Sequence, residues 1–273
     1  MRREKIGIIG FGNMGSAIAE QLKSGYKILV FDKDFNKTKN LSDIKVAKDN
    51  IDLVSKVDVV ILAVKPQDFD NLLMQIKKGI KKQLIISIAA GITTSYIERY
   101  LGRVKVIRVM PNISTLIRKG VCGLCKGRFA SNEDLRFTKK LLSHMGISIS
   151  FDKEKMLDAV TAISGSGPAY LCYYIKERDI SFSKKDRFIQ ELTKAAISIG
   201  FKKDIAERLS EQTATGTLFL LKKMNLSPEE LITKVASKGG TTEKALEVLS
   251  RGGSLEEAVK AALKRARELS RRR

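Results

Sequence analysis

Along the first 150 or so residues of this 273-residue chain, short runs of apolar side chains alternate with stretches whose apolar positions recur every three or four residues. The runs Lys5–Ile9, Lys27–Phe31, Val57–Ala63, Gln83–Ile88, Lys105–Met110, Val121–Leu124 and Ile147–Phe151 predict β-strands. Several are apolar throughout, as strands buried on both faces of a parallel sheet must be. Between them the helical period predicts helices at Met14–Leu22, Gln67–Ile76, Thr94–Tyr100 and Asn132–Ser143. Alternation of this kind predicts an α/β, Rossmann-like, doubly wound sheet. From Lys153 onward the strand pattern stops. Met156, Val160 and Ile163 share a helical face; so do Ile205, Leu209 and Thr213, and then Leu246, Leu249, Leu255, Val259 and Leu263. The expected organisation is an α/β domain over residues 1–151 and an all-helical domain over 152–273.

Composition changes this picture little. Lys+Arg 51 against Asp+Glu 30 leaves a formal charge of +21. The basic residues are scattered (Lys77, Lys82, Lys139, Lys184, Lys222) and lack interleaved aromatics, which favours anionic small ligands over nucleic acid. No apolar run has the length to span a bilayer, and Met1–Lys5 lead directly into the first strand, so neither a membrane anchor nor a leader is expected. Three cysteines do not make a disulfide framework and suggest the cytoplasm. Cys122 and Cys125 form a C-x-x-C pair, but Cys172 and His144 stand apart, so no metal site is expected and the thiols are read as core residues.

Candidate chemistry begins at Gly10, Phe11, Gly12, Asn13, Met14, Gly15, a G-x-G-x-x-G run placed between the first strand and the first helix. Gly10 permits the tight turn, Gly12 lets backbone approach a pyrophosphate, and Gly15 lets the helix pack on the strand, which together predict a pocket for NADH or NADPH. Asp32 ends the second strand twenty residues beyond Gly12, where a carboxylate accepts hydrogen bonds from ribose hydroxyls and favours NAD. Lys33 and Lys37 offer the alternative of meeting a 2′-phosphate. Ala63, Val64, Lys65 and Pro66 leave another strand on the rim where ligands of open sheets bind, with Lys65 read as a contact to ribose or phosphate, as an acid, or as a plain surface lysine. Ala89 and Asn112 end two further strands on that rim.

Two hydroxyl- and glycine-rich runs lie in the helical half. Ser164-Gly-Ser-Gly-Pro-Ala-Tyr170 places Ser166 or Gly167 to cap a helix that opens on Pro168. Ser237, Lys238, Gly239, Gly240, Thr241 and Thr242 precede another helix and suit a carboxylate. A histidine base is missing from the rim, and no tyrosine has a lysine four residues later. These absences favour a substrate whose C=N nitrogen is protonated before hydride arrives.

In order and spacing, Gly10–Gly15, Ala63–Pro66, Arg108 with Met110-Pro111-Asn112, Ser164–Tyr170 and Gly239–Thr242 resemble the pyrroline-5-carboxylate reductase family over nearly the whole chain. The resemblance implies NAD(P)H-dependent reduction of 1-pyrroline-5-carboxylate to L-proline by a homodimer or larger homo-oligomer built through the helical domain. It implies that Ser237, Gly240, Thr241 and Thr242 hold the substrate carboxylate, with the Thr242 hydroxyl reaching the ring nitrogen. Lys65, Pro66, Ala89 and Asn112 are implied to line the cofactor.

Two features depart from the family pattern. Lys238 stands where the family usually has proline, and residues 177–190 read as an insertion. The alternatives are a related imine or β-hydroxyacid reductase, with Lys194 or Lys244 as acid, and a non-catalytic NAD(P)-binding sensor.

Overall fold

The computed structural model describes residues 4–178 and 185–271. In it the apolar runs become strands β1 (Lys5–Ile9), β2 (Lys27–Phe31), β3 (Lys45–Val46), β4 (Val59–Leu62), β5 (Leu84–Ser87), β6 (Lys105–Pro111), β7 (Gly120–Lys126) and β8 (Gly146–Ser150). Helices α1 (Asn13–Leu22), α2 (Asn50–Ser55), α3 (Phe69–Ile76), α4 (Thr94–Leu101) and α5 (Asn132–Leu142) lie between them. The rest is helical: α6 (Met156–Val160), α7 (Gly167–Arg178), α8 (Lys185–Ser198), α9 (Lys203–Met224), α10 (Pro228–Val235), α11 (Thr241–Ser250) and α12 (Leu255–Arg271).

The strands form one sheet in the order β3-β2-β1-β4-β5-β6-β7-β8. The winding reverses between β1 and β4, which opens a crevice above their carboxyl ends. Strands β1 to β6 run parallel, but β7 is antiparallel to β6, with Ile107 opposite Lys126. That pair is antiparallel because the link Asn112–Lys119 is shorter than the dozen or so residues a parallel crossover needs. Strand β3 escapes the apolar pattern because both its residues are exposed at the sheet edge. One core cluster, with Ile6, Ile8 and Val30, includes α1 and α5 residues; another, with Ile9, Val60 and Ile85, includes residues of α2, α3 and α4.

In the helical half, the face read from Leu246 to Leu263 is split between α11 and α12, with Gly252 at φ +82 in the break. Leu249, Leu255, Val259 and Leu263 nevertheless enter one core. The stretch 177–190 read as an insertion runs from the end of α7 into α8, where Phe188 is buried; residues 179–184 of it lie outside the described residues. Cys122 and Cys125 belong to different cores, three positions apart on β7 and so facing opposite sides of the sheet.

Arg108, in the middle of β6, is 2% exposed and joins the two halves. Its guanidinium donates to Glu154 Oε1 at 3.1 Å and to Asp158 Oδ1 at 3.2 Å. Glu154 also accepts from the N–H and hydroxyl of Thr94, at 2.8 and 2.7 Å. Asp158 accepts from the Ser270 hydroxyl, at 2.8 Å, near the end of α12. Four elements that meet nowhere in sequence are tied through one cation.

Removing that cation leaves two carboxylates without compensation, so Arg108→Met is expected to lower the unfolding free energy by about 3–5 kcal/mol, measured by urea denaturation. Burial pushes the Cys122 thiol up to about 12 and the Cys125 thiol to about 11, which leaves almost no thiolate at pH 8. Native protein at that pH is expected to resist iodoacetamide until urea exposes these thiols; rapid native alkylation contradicts the burial.

Candidate active site

The glycine run sits at the winding reversal. Gly10 has φ +97 and donates its N–H to the Phe31 carbonyl at 2.8 Å, and a side chain there would lie 2.6 Å from the Ala63 carbonyl oxygen. At Gly15 a side chain would collide with the Gly10 carbonyl, so helix and strand approach as closely as backbone allows. Gly12 differs, because a side chain at that position would have nothing within 4 Å. It is the N-cap of α1, which has neither a side-chain cap nor an acidic residue in its first turn. The N–H groups opening α1, at Asn13 and Met14, therefore suit an anion. Met14 is also packed from the side, its sulfur 3.2 Å from the Thr115 hydroxyl, which donates to the Asn112 carbonyl at 2.7 Å.

Gly10, Gly12, Asp32, Ala63, Val64 and Lys65 come together as walls of a cleft of about 470 Å³. Asp32 keeps its carboxylate at the cleft by bonds to the turn itself: Oδ2 accepts from the Phe11 N–H at 2.6 Å and Oδ1 from the Asp34 N–H at 2.8 Å. Burial pushes this carboxyl up, but those two N–H groups and Lys37, 3.3 Å away, outweigh it and hold it below the usual carboxylate range. Lys33 is paired with Asp68 at 2.8 Å. Charges around Asp32 thus come as two pairs rather than as a cationic cluster. Lys65 is exposed on the cleft wall, and Pro66 opens the 3₁₀ turn Pro66–Asp68 that leads into α3. Asn13, Met14, Gly15, Pro66, Ala89 and Asn112 do not line this cleft.

Ala89 and Asn112 are buried on the β5 and β6 side of the rim. Asn112 Oδ1 accepts from the Val121 N–H at 3.0 Å, while Nδ2 is buried without a partner among the described residues. An orphan amide donor of that kind is costly unless a ligand completes it.

The Ser164–Tyr170 run is not the interhelical cap expected of it. Residues Thr161–Gly165 form one π-helical turn, in which the Ser166 N–H reaches back five residues to the Thr161 carbonyl at 2.9 Å, and the chain then continues into α7. Pro168 has no N–H to give, and the wide turn absorbs that loss. The bulge turns the fully buried Ser166 hydroxyl toward α11, where Thr242 Oγ1 donates to Ser166 Oγ at 2.9 Å and Thr241 Oγ1 lies 3.1 Å from it. A side chain at Gly165 would touch the Met110 methyl at 3.4 Å, so the π-helical turn itself lies against the end of β6. The sequence offered Ser166 as a helix cap at an anion-friendly end; its contact with Thr241 and Thr242 has no sequence signal.

Ser237–Gly240 is a tight turn closed by the Gly240 N–H to the Ser237 carbonyl at 2.8 Å, with Gly239 at φ +68. Gly240 is the N-cap of α11, without a side-chain cap, and Thr241 and Thr242 are its first helical residues. Lys244 is paired with Glu247 at 2.8 Å and Lys194 is exposed on α8, so neither fits the role of a buried acid.

Comparison with known proteins covers both halves. A family model for pyrroline-5-carboxylate reductase dimerisation matches residues 186–271, and one for NADP oxidoreductase, coenzyme F420-dependent, matches residues 5–91. Pyrroline-5-carboxylate reductase 2 of Bacillus subtilis is 36% identical over 256 residues, 90% of this chain and 87% of its own. The Pseudomonas aeruginosa pyrroline-5-carboxylate reductase is 33% identical over 99% of this chain and 98% of its own. Among solved structures, a pyrroline-5-carboxylate reductase from Coxiella burnetii superposes with a TM-score of 0.66 at 32% identity, covering 98% of this chain and 99% of that one.

The contrast between the glycines is directly testable. Gly12→Ala is expected to keep the melting temperature while weakening NADH binding by roughly tenfold or more, because the new methyl occupies the approach to the α1 N-terminus. Gly15→Ala is expected to lower the melting temperature as well. Fluorescence titration with NADH beside thermal melts checks both, and unchanged NADH affinity in Gly12→Ala would exclude this turn as the phosphate site.

Proposed function

The chain belongs to the pyrroline-5-carboxylate reductase family, and from that premise we infer how its residues divide the reaction. It reduces 1-pyrroline-5-carboxylate to L-proline with NAD(P)H, the final step of proline biosynthesis. It forms a homo-oligomer through the helical half, where the dimerisation match lies. No described helix is long and apolar enough to cross a membrane, and we place the enzyme in the cytoplasm.

The open space before Gly12 and the orphan amide of Asn112 are features a dinucleotide completes. NAD(P)H supplies the hydride. On our reading Gly10, Gly12, Asn13, Met14 and Gly15 hold the pyrophosphate, Asp32 the adenosine ribose, and Ala63, Val64, Lys65 and Pro66 the adjoining wall. Ala89 and Asn112 face the nicotinamide end. A solved relative from Plasmodium falciparum has NADP bound, with 27% identity and a TM-score of 0.64.

The observation that carries the substrate reading is the hydroxyl pair at the start of α11. On this reading Ser237, Gly240, Thr241 and Thr242 form the carboxylate site: the first N–H groups of α11, at Thr241 and Thr242, lie at a helix end with no side-chain cap, while the Gly240 N–H closes the turn onto Ser237. An iminium N–H is itself a donor, so the hydroxyl that meets it must accept. Thr242 gives its own proton to Ser166 and so keeps its lone pairs for the ring nitrogen. The chain's task is orientation and exclusion of water rather than delivery of a proton from a strong acid.

Thr242→Ala is expected to lower kcat/KM for pyrroline-5-carboxylate by roughly tenfold to a hundredfold with NADH affinity nearly unchanged. Equal loss of both would make the residue structural. In the same assay the wild type is expected to prefer NADH over NADPH, since the Asp32 carboxylate opposes a 2′-phosphate. Asp32→Ser is expected to move that preference toward NADPH by roughly tenfold, about 1.4 kcal/mol.

A further inference from the structure

Helix α12 reaches both parts of the reaction site. Arg265 Nε donates to the Gly239 carbonyl at 2.7 Å, inside the turn assigned to the substrate carboxylate. One turn of helix later, Leu269 packs at Gly91, where a side chain would sit 3.5 Å from it, and Ser270 holds Asp158. The same helix is thus in contact with the acceptor turn and with the rim beyond β5.

The turn has an unusual need of such support. Its third position is Gly239 at φ +68 and its fourth N–H returns to the first carbonyl, the pattern of a type II turn. Proline is favoured at the second position, where its ring presets φ, but that residue here is the exposed Lys238. Two consecutive glycines follow, each free to leave the required conformation. Restraint comes instead from outside the turn: Glu243 Oε2 accepts the Gly239 N–H at 2.6 Å while Arg265 takes the carbonyl of the same residue. Arg265 is itself oriented by Glu268 at 3.0 Å.

We propose that Arg265 is a positioning residue for the reaction, clamping the Ser237–Gly240 turn in its carboxylate-binding form in place of a rigid residue at position 238. The inference rests on the reading of that turn as the carboxylate site. Arg265→Met is expected to raise KM for pyrroline-5-carboxylate by roughly tenfold, with KM for NADH nearly unchanged, and to speed hydrogen exchange of the amides of residues 237–243. Arg265→Lys, which keeps the charge without the planar Nε donor, is expected to show most of both effects and serves if Arg265→Met folds poorly.

The deciding variant adds Lys238→Pro to each of these. If the clamp acts by holding the turn, proline recovers both KM and slow exchange, although it removes a further cation. Deeper loss on adding proline would assign Arg265 a charge role and overturn the proposal, as would unchanged KM and exchange in Arg265→Met. A wild type that fails to reduce pyrroline-5-carboxylate would sink the substrate reading, while the exchange measurement would still decide whether the clamp exists.

Discussion

The Arg108 guanidinium is the constraint on which the relative placement of the two halves depends. A buried cation must be paired, and here the pairing partners come from the first residues of the helical half, Glu154 and Asp158. Each carboxylate is then completed by a different element, Glu154 by the start of α4 and Asp158 by the end of α12. Apolar packing between the halves tolerates sliding, because it is non-directional, whereas two charge-assisted bonds from one planar group fix an orientation. That orientation brings the π-helical turn against the end of β6 and α12 against the rim beyond β5.

With the halves so placed, two helix starts offer backbone rather than side-chain groups. The glycine turn offers the start of α1 and the Ser237–Gly240 turn the start of α11, each capped by glycine and each without a side-chain cap. Other helix starts show the difference: α4, α5 and α10 are capped by Thr93, Ser131 and Ser227. Charge of +21 adds general attraction for anions, and uncapped helix-start N–H groups are the fixed positions that suit them. Each of these turns has an external hold, the first from Asp32 on the Phe11 N–H and the second from Glu243 and Arg265 on Gly239. Glycine supplies the close approach and cannot supply the rigidity.

Much of this was legible from local pattern. Strands such as β1 and β4 announce themselves because a strand buried on both faces must be apolar at every position, and Gly10–Gly15 because only glycine satisfies a left-handed turn and a backbone contact within six residues. Edge strand β3 was invisible for the converse reason, as neither of its residues is buried. The direction of β7 is not written in its apolar run, which carries none; the length of the link to β6 carries it. Ser164–Tyr170 showed its composition but not its conformation, since a π-turn and a cap use the same glycine, serine and proline.

By itself, then, the sequence determined the α/β and helical halves, the glycine turn after β1 and the two hydroxyl-rich segments, because each rests on periodicity or on steric demands met within a few residues. Tertiary structure alone decided that Ser166 meets Thr242, that Arg265 holds Gly239, and that Arg108 joins β6 to α6 and, through Asp158, to α12. Those contacts span residues 76, 26 and 50 positions apart, a separation over which local propensity says nothing and only packing of the folded core selects a partner.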